Sequence, residues 1–380
     1  MIPTGIKPAD GRFGCGPSKV RQEQLTALAG EGPTYLGTSF RRGAVPSLIG
    51  RIRDGLRELF ALPEDYQVVL GNGGATAFWN IATHGLIRRR AQHLSFGEFS
   101  ARFAAVDRDT PWLEEPSIIE SPAGTHPLPR AEAGIDTYAF THNETSTGVA
   151  MPIRRVPGAD SDALVLVDAT SGAGGLPVEP SQFDVYYFAP QKVFGSEGGL
   201  WVALMSPAAL TRAAELAASG RYLPEFFSLP LAIGHSARNL TYNTPSVSTL
   251  LLLAEQIEWL LCQGGLAWST ARAATSAELI YNWADKAPYA GPFVTEPAQR
   301  SPLVATIDFT DDVDAARVVS TLRANGILDL EPNRKFGRNQ MRIGLFPAVE
   351  PADVQALITC VDYVVEGLRA PSDRSEDKNV

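Results

Sequence analysis

The sequence predicts an α/β fold, a sheet covered by helices on both faces, followed by a smaller second α/β unit. Three observations point there. Short apolar runs alternate with helical segments between about 48 and 265, the rhythm changes after that point, and 380 residues exceed what one hydrophobic core usually organises.

The elements follow in order. A helical pattern around 47–60 precedes the strand QVVL (67–70), and a second helix covers about 76–87. Strands are expected near 117 and at 137–141, then as ALVLVDA (163–169), VYYFA (185–189) and GLWVALM (199–205), and a long helix fills 248–262. Beyond it, LVATIDF (303–309) reads as a strand, Asp311 or Asp312 as the cap of a helix through about 324, and Gly326 as its end. ILDL (327–330) and QMRIGLF (340–346) read as two more strands before a final helix at 351–368. This βαββα unit places a domain boundary near 265, in the CQGGLAW turn, giving a large domain at 1–265 and a small one at 266–369. The polar segment APSDRSEDKNV (370–380) lacks apolar residues to bury and is expected to be disordered.

Composition removes several function classes. A net charge of −9 provides no basic stripe for nucleic acid or an anionic membrane surface. The N-terminus, MIPTGIKPADGRF, lacks a basic region followed by an apolar stretch, and the greasiest segment, STLLLLAEQIEWLL (248–261), is interrupted by Glu255 and Glu258, so neither a secretory signal nor a membrane span is expected. Cys15, Cys262 and Cys360 lie far apart with no paired spacing, which fits a reducing cytoplasm. The five histidines have no metal-binding spacing, and neither a G-x-S-x-G elbow nor a P-loop is present. His142 and His235 read as locally hydrogen-bonded residues rather than catalysts.

Of the 33 basic residues only six are lysines, so a lysine used for chemistry has few places to be. Lys192 is the one lysine between Lys19 and Lys286, and it sits in FAPQKVFGSEGG, where an aromatic strand runs into a small-residue loop. Burial there would lower its pKa and favour the nucleophilic amine, although a lone lysine can also snorkel to the surface. Asp168 ends the apolar strand ALVLVDA, where open α/β sheets place their ligands, or else it caps the turn that follows. GNGGATAFWN (71–80) joins a strand to a helix, which suits phosphate at the helix N-terminus or simply a tight turn. It lacks the third glycine of a dinucleotide loop. Taken together, a phosphate site, an acid for a ring nitrogen and a lysine for a carbonyl describe pyridoxal phosphate.

GRFGCGPSKV, LGTSFRR, LGNGGATAFW, SFGEFSARF, THNETSTGVA, VDATSGAGGLPV, YYFAPQKVF, LTYNTPSV and RKFGRNQMRIGLFPAVEP together resemble the phosphoserine aminotransferase family, in particular its actinobacterial branch, from about Ile6 to Leu368. The resemblance implies a fold-type I pyridoxal phosphate enzyme: a homodimer with a shared active site, a mostly parallel seven-stranded sheet in the large domain and a small C-terminal domain. It implies Lys192 as the Schiff-base lysine and Asp168 as the partner of the pyridine nitrogen. Gly74, Ala75, Thr76 and Gln191 would hold the phosphate, Phe99 would stack on the ring, and Thr145 would lie near the ring oxygen. Asn243 and Thr244 would reach the phosphate from the second subunit, and Arg342 would clamp the substrate carboxylate.

The activity implied is transfer of an amino group from glutamate to 3-phosphohydroxypyruvate, releasing 2-oxoglutarate and phosphoserine. The departures concern the substrate half. Phe40 stands where the family has a histidine and cannot donate a hydrogen bond, Cys15 replaces a serine, and Val193 replaces an asparagine. Arg41 with Arg42 would then read the substrate phosphate, with Lys335 and Arg338 as further candidates. The alternatives are a paralogous aminotransferase for an unphosphorylated or phosphonate 2-oxo acid, a lyase or desulfurase on the same fold, or a regulatory protein that kept the fold without catalysis.

Overall fold

The computed structural model describes residues 1–369. The tail at 370–380, expected to be disordered, lies outside the described residues. The chain begins with α1 (Gln22–Tyr35) and α2 (Ala44–Leu59), then runs β1 (Gln67–Asn72), α3 (Ala75–Gly85), β2 (Ala91–Ser95), α4 (Glu98–Arg108), β3 (Ser117–Glu120) and β4 (Thr137–Thr141). A short hairpin, β5 (Asn143–Glu144) with β6 (Val149–Ala150), leads to β7 (Leu164–Asp168), β8 (Val185–Phe188) and β9 (Leu200–Met205). Four helices follow: α5 (Pro207–Ala218), α6 (Leu229–Ser236), α7 (Val247–Gln263) and α8 (Gly265–Ala284). The chain closes with β10 (Ala290–Pro292), β11 (Val304–Phe309), α9 (Ala315–Ala324), β12 (Gln340–Gly344) and α10 (Pro351–Arg369).

The large sheet has seven strands in the order β1-β9-β8-β7-β4-β2-β3. Only β9 runs against the rest, pairing antiparallel with both β1 and β8, so the sheet is mostly parallel. Alternate residues of a strand face opposite sides, and β7 shows both sides buried. Val165 and Val167 join the core built on α2 and α7, whereas Leu164 and Leu166 join the core with Phe78 and Trp79 of α3. Continuing that alternation, Asp168 points to the α3 side. The α2 residues Val45, Leu48, Ile49, Ile52, Leu56 and Leu59 recur at helical spacing, and all are buried. α7 packs against α1, α2 and α8, which explains its apolar length. No helix among the described residues is long and apolar enough to cross a membrane.

A second, three-stranded antiparallel sheet, β10-β11-β12, carries its own core with α8, α9 and α10. Ile2 and Phe13 belong to that core, so the start of the chain packs with its end. Two expectations are corrected here. ILDL is not a strand of this sheet: Leu328 makes only an isolated bridge to Arg12, and Asp329 adopts a left-handed φ of 64° that breaks an extended run. β10, upstream, supplies the third strand instead. The cap of α9 is Asp314, whose carboxylate accepts from the N–H groups of Ala316 and Arg317 at 2.8 and 3.3 Å, while Asp312 pairs with Thr310 and Arg369. Asp314→Ala is expected to cost about 1 kcal/mol in urea unfolding. An equal loss from Asp312→Ala, whose partners are exposed, would contradict this assignment.

Candidate active site

β1, β4, β7 and β8 run parallel, and their carboxyl ends deliver side chains to one crevice, the usual ligand position of an open α/β sheet. A cavity of about 180 Å³ lies there. Gly74, Ala75 and Thr76 form one wall at the N-terminus of α3. The first backbone bonds of this helix run from Ala77 and Phe78 to the Gly74 carbonyl, and no side chain caps it, so the N–H groups of Ala75 and Thr76 are left for an anion. Asp168 and Trp79 line the cavity together, with the indole Nε1 donating to Asp168 Oδ2 at 2.9 Å and the Thr170 N–H donating to Oδ1 at 3.0 Å. Burial raises the Asp168 carboxyl above its ordinary pKa, and these donors pull it back.

Lys192 enters from the loop after β8 and is buried. Its Nζ donates to the Cys15 carbonyl at 2.7 Å, and burial brings its pKa down from 10.5 to about 8. A minority of the amine is therefore already neutral near physiological pH, far more than for an ordinary lysine, and that fraction can act as a nucleophile or base. The loop holding Cys15 passes directly over it: a Cβ on Gly16 would lie 1.9 Å from Lys192 Nζ, at a backbone φ of +141°. Gly16→Ala is expected to displace the amine and lower kcat about a hundredfold, with a smaller effect on the KM for the amino donor. Steady-state kinetics check this, and an unchanged kcat would show that the amine does not depend on this contact.

Phe99 borders the same cavity, presented by the first turn of α4. That turn is pinned by Glu144, a fully buried acid whose carboxylate accepts from the N–H groups of Phe99 and Ser100 at 3.1 and 3.0 Å and from the hydroxyls of Ser100 and Ser146 at 3.0 and 2.6 Å. Thr145 lines the wall and donates to the Ser171 hydroxyl at 2.7 Å.

A second cavity of about 510 Å³ is lined by Cys15, Gly16, Glu98, Asn333, Lys335 and Arg342, among others. Arg342, on β12, donates from Nη1 to the Thr145 carbonyl at 3.1 Å and leaves its buried Nε without a partner. Burial raises the pKa of the Cys15 thiol.

The structure thus gathers Gly74, Ala75, Thr76, Phe99, Thr145, Asp168, Gln191 and Lys192 around one cavity, and Cys15, Lys335 and Arg342 around the other. Val193 is buried beside Cys15 and Leu303 in a small apolar cluster and lines neither cavity. Arg338 is not brought there. Asp308 holds its guanidinium, which lies 4.5 Å over the Phe293 ring, because the irregular loop before β12 turns it toward β11. Phe40, Arg41, Arg42, Asn243 and Thr244 line neither cavity within one chain. Phe40 packs against the large core with Arg41 4.9 Å over its ring, and Asn243 and Thr244 are exposed.

His142 is buried against the Tyr186 hydroxyl at 2.9 Å, and burial holds its pKa near 3, so it stays neutral. Sequence reasoning missed Trp79, Thr141, Asn143, Thr170, Ser171 and Glu98. Only Trp79 carries a usable signal, since it falls four residues after Ala75 on the same helical face.

The free N–H groups at the start of α3, the buried Asp168 carboxylate and the Lys192 amine fit pyridoxal phosphate. Asn143 Oδ1 and Gln191 Oε1 on the cavity wall are buried without hydrogen-bond partners, so the chain leaves polar capacity there for a polar ligand. Among the described residues no group of acids, cysteines or histidines could hold a metal ion.

Comparison with known proteins agrees with this geometry. A family model described as aminotransferase class-V matches residues 132–329. A phosphoserine aminotransferase from Nocardioides sp. strain JS614 is 60% identical over 369 residues, covering 97% of this chain and 99% of that protein. Among solved structures, a phosphoserine aminotransferase from Cytophaga hutchinsonii superposes with a TM-score of 0.83 at 23% identity, covering 93% of this chain and 99% of that one. A phosphoserine aminotransferase from Trichomonas vaginalis, described as bound to pyridoxal phosphate, gives 0.78 at 18% identity, covering 93% and 99%.

Proposed function

Because the chain belongs to the phosphoserine aminotransferase family, we propose that it moves an amino group from glutamate to 3-phosphohydroxypyruvate, producing 2-oxoglutarate and phosphoserine for serine biosynthesis. The observation that carries the reading is the convergence of the Lys192 amine, the Asp168 carboxylate and the free N-terminus of α3 on one cavity next to Arg342. When bound there, pyridoxal phosphate supplies an aldehyde for amino groups and a ring that takes up the electron pair left at a substrate α-carbon.

The chain's own residues divide the remaining work. The N–H groups of Ala75 and Thr76 and the Gln191 side chain would hold the phosphate, Phe99 would cover one face of the ring, and Thr145 would lie near the ring oxygen. Asp168 would keep the ring nitrogen protonated, since a cation beside a buried carboxylate favours its ionised form. Lys192 would hold the aldehyde at rest and, once freed by the amino donor, carry the proton away from the glutamate α-carbon. Arg342 would fix the α-carboxylate with the fork that its unpartnered Nε leaves open.

The chain would work as a homodimer. Arg41, Arg42, Asn243 and Thr244 are exposed and outside both cavities, which supports a reading in which a second copy brings them to the site. All three cysteines are free thiols, in keeping with a reducing cytoplasmic setting.

A coupled assay with glutamate and 3-phosphohydroxypyruvate tests the activity: 2-oxoglutarate is expected in proportion to the acceptor consumed. Product formed from a single substrate would favour a lyase instead, and faster turnover of an unphosphorylated or phosphonate acceptor would favour the paralogue. Phe40→His is expected to raise kcat/KM for the phosphorylated acceptor roughly three- to tenfold by adding one hydrogen-bond donor. No gain would remove Phe40 from the substrate site.

A further inference from the structure

Glu98 is the first residue of α4, so its side chain neighbours the cofactor cavity that Phe99 borders, yet it lines the larger substrate cavity. It is an acid in a cavity whose substrates are anions, and its contacts explain how it is tolerated. Glu98 Oε1 stands 3.4 Å from Lys335 Nζ, and Oε2 accepts from Asn333 Nδ2 at 3.0 Å. Asn333 is itself buried and uses its other side-chain atom, Oδ1, to accept from the Lys335 backbone N–H at 2.9 Å. One asparagine therefore binds both the acid and the loop that carries the lysine, and it joins α4 of the large sheet to the segment before β12.

The exposures are unequal. The Glu98 side chain is 17% exposed and that of Lys335 is 60% exposed, so the lysine can swing away while the acid stays in place. Arg102, one turn along α4, and Lys335 are the charged groups that bear on Glu98, and together with Asn333 they lower its pKa against burial. The other two acids of this cavity, Asp329 and Glu331, are already paired with Arg323. Glu98 is thus the acid that competes with an incoming anion for a cation of this cavity.

We propose that Glu98 is a specificity-determining residue that holds Lys335 in reserve, so that the distal anion of a substrate must take the lysine from a carboxylate that falls back on Asn333. The exchange moves no proton and leaves no buried charge without a partner. It lowers the affinity of the cavity for a distal anion, a cost that an acceptor without such an anion does not pay, and so sets how strongly the two are told apart. The inference rests on the transamination reading above, and its test has one arm that needs no turnover.

The variant is Glu98→Gln, which keeps an acceptor for Asn333 but removes the charge that holds Lys335. In the holoenzyme, binding of inorganic phosphate measured by calorimetry is expected to tighten roughly three- to fivefold, the size of a partly exposed ion pair. In steady-state assays the KM for 3-phosphohydroxypyruvate is expected to fall by a similar factor, with kcat/KM for an unphosphorylated 2-oxo acid unchanged. Lys335→Ala is expected to move both anion readouts the other way. Unchanged or weaker phosphate binding in Glu98→Gln would overturn the proposal, and so would an equal change for both acceptors, which would mean that Glu98 merely positions Phe99. If the wild type does not transaminate the phosphorylated acceptor, the reading of the activity fails, while the calorimetric arm still decides the role of Glu98.

Discussion

Lys192→Ala is expected to lower turnover at least about ten-thousand-fold and to replace the visible absorption of the purified holoenzyme by that of the free aldehyde. The amine is the one lysine in either cavity that is buried, and no neighbour can take its place: Lys335 lies on the substrate side, 60% exposed and engaged by Glu98. Burial also makes capture of the cofactor depend on pH. With the amine titrating near 8, its neutral, reactive fraction grows as pH rises through that value. The rate at which apo-protein takes up pyridoxal phosphate is expected to rise across the same range in the wild type, and Lys192→Ala is expected to show no such rise. A variant that retained both the absorption and the pH dependence would remove Lys192 from the chemistry.

Asp168→Asn is expected to lower kcat about a hundred- to a thousandfold while the cofactor still binds, because a fixed charge in a water-poor site is lost with the shape nearly kept. The substitution has a second cost. Both Asp168 oxygens accept, one from Trp79 and one from the Thr170 N–H, so an amide must turn its NH2 toward one of these donors. Asp168→Glu serves as the control. It restores the charge without the position, so recovery of most of the activity would show that charge alone matters.

The strands of the large sheet are legible in the sequence because each is a short apolar run buried on both faces, as in LVLVD and LWVALM. The cores on either side of β7 follow directly from its alternation. What could not be read is set by contacts distant in sequence. DDVD offers three aspartates within four residues, and which one caps α9 depends on where the helix begins after Val313 turns into the core. ILDL has the composition of a strand, yet its partner is the segment around Arg12, more than 300 residues away.

The glycine turn, Asp168 and Lys192 were legible as candidates because glycine turns, a strand-end aspartate and a scarce lysine are unusual in themselves, whereas Phe99, Thr145 and Gln191 came only with the family resemblance. Thr141, Asn143, Thr170 and Ser171 are common loop residues with no periodicity, and nothing local separates them from turn formers. RKFGRNQ shows the same limit: with no regular element to set its faces, sequence could not tell that Lys335 turns to the cavity and Arg338 to Asp308.

The loop over Lys192 has a consequence for the order in which the protein can become active. Residues 11–16 are made before the large sheet, yet the Gly11 carbonyl accepts from the Leu328 N–H at 2.7 Å and the Phe13 carbonyl from the Gly344 N–H at 2.7 Å. The loop carrying the Cys15 carbonyl that receives the lysine amine is therefore fixed by the segment around Leu328 and by β12, both made after the large sheet. A nascent chain can assemble the large sheet early, but its amine stays uncovered until β12 arrives. Truncations ending before Gly344 are expected to bind cofactor poorly even when the large sheet is formed.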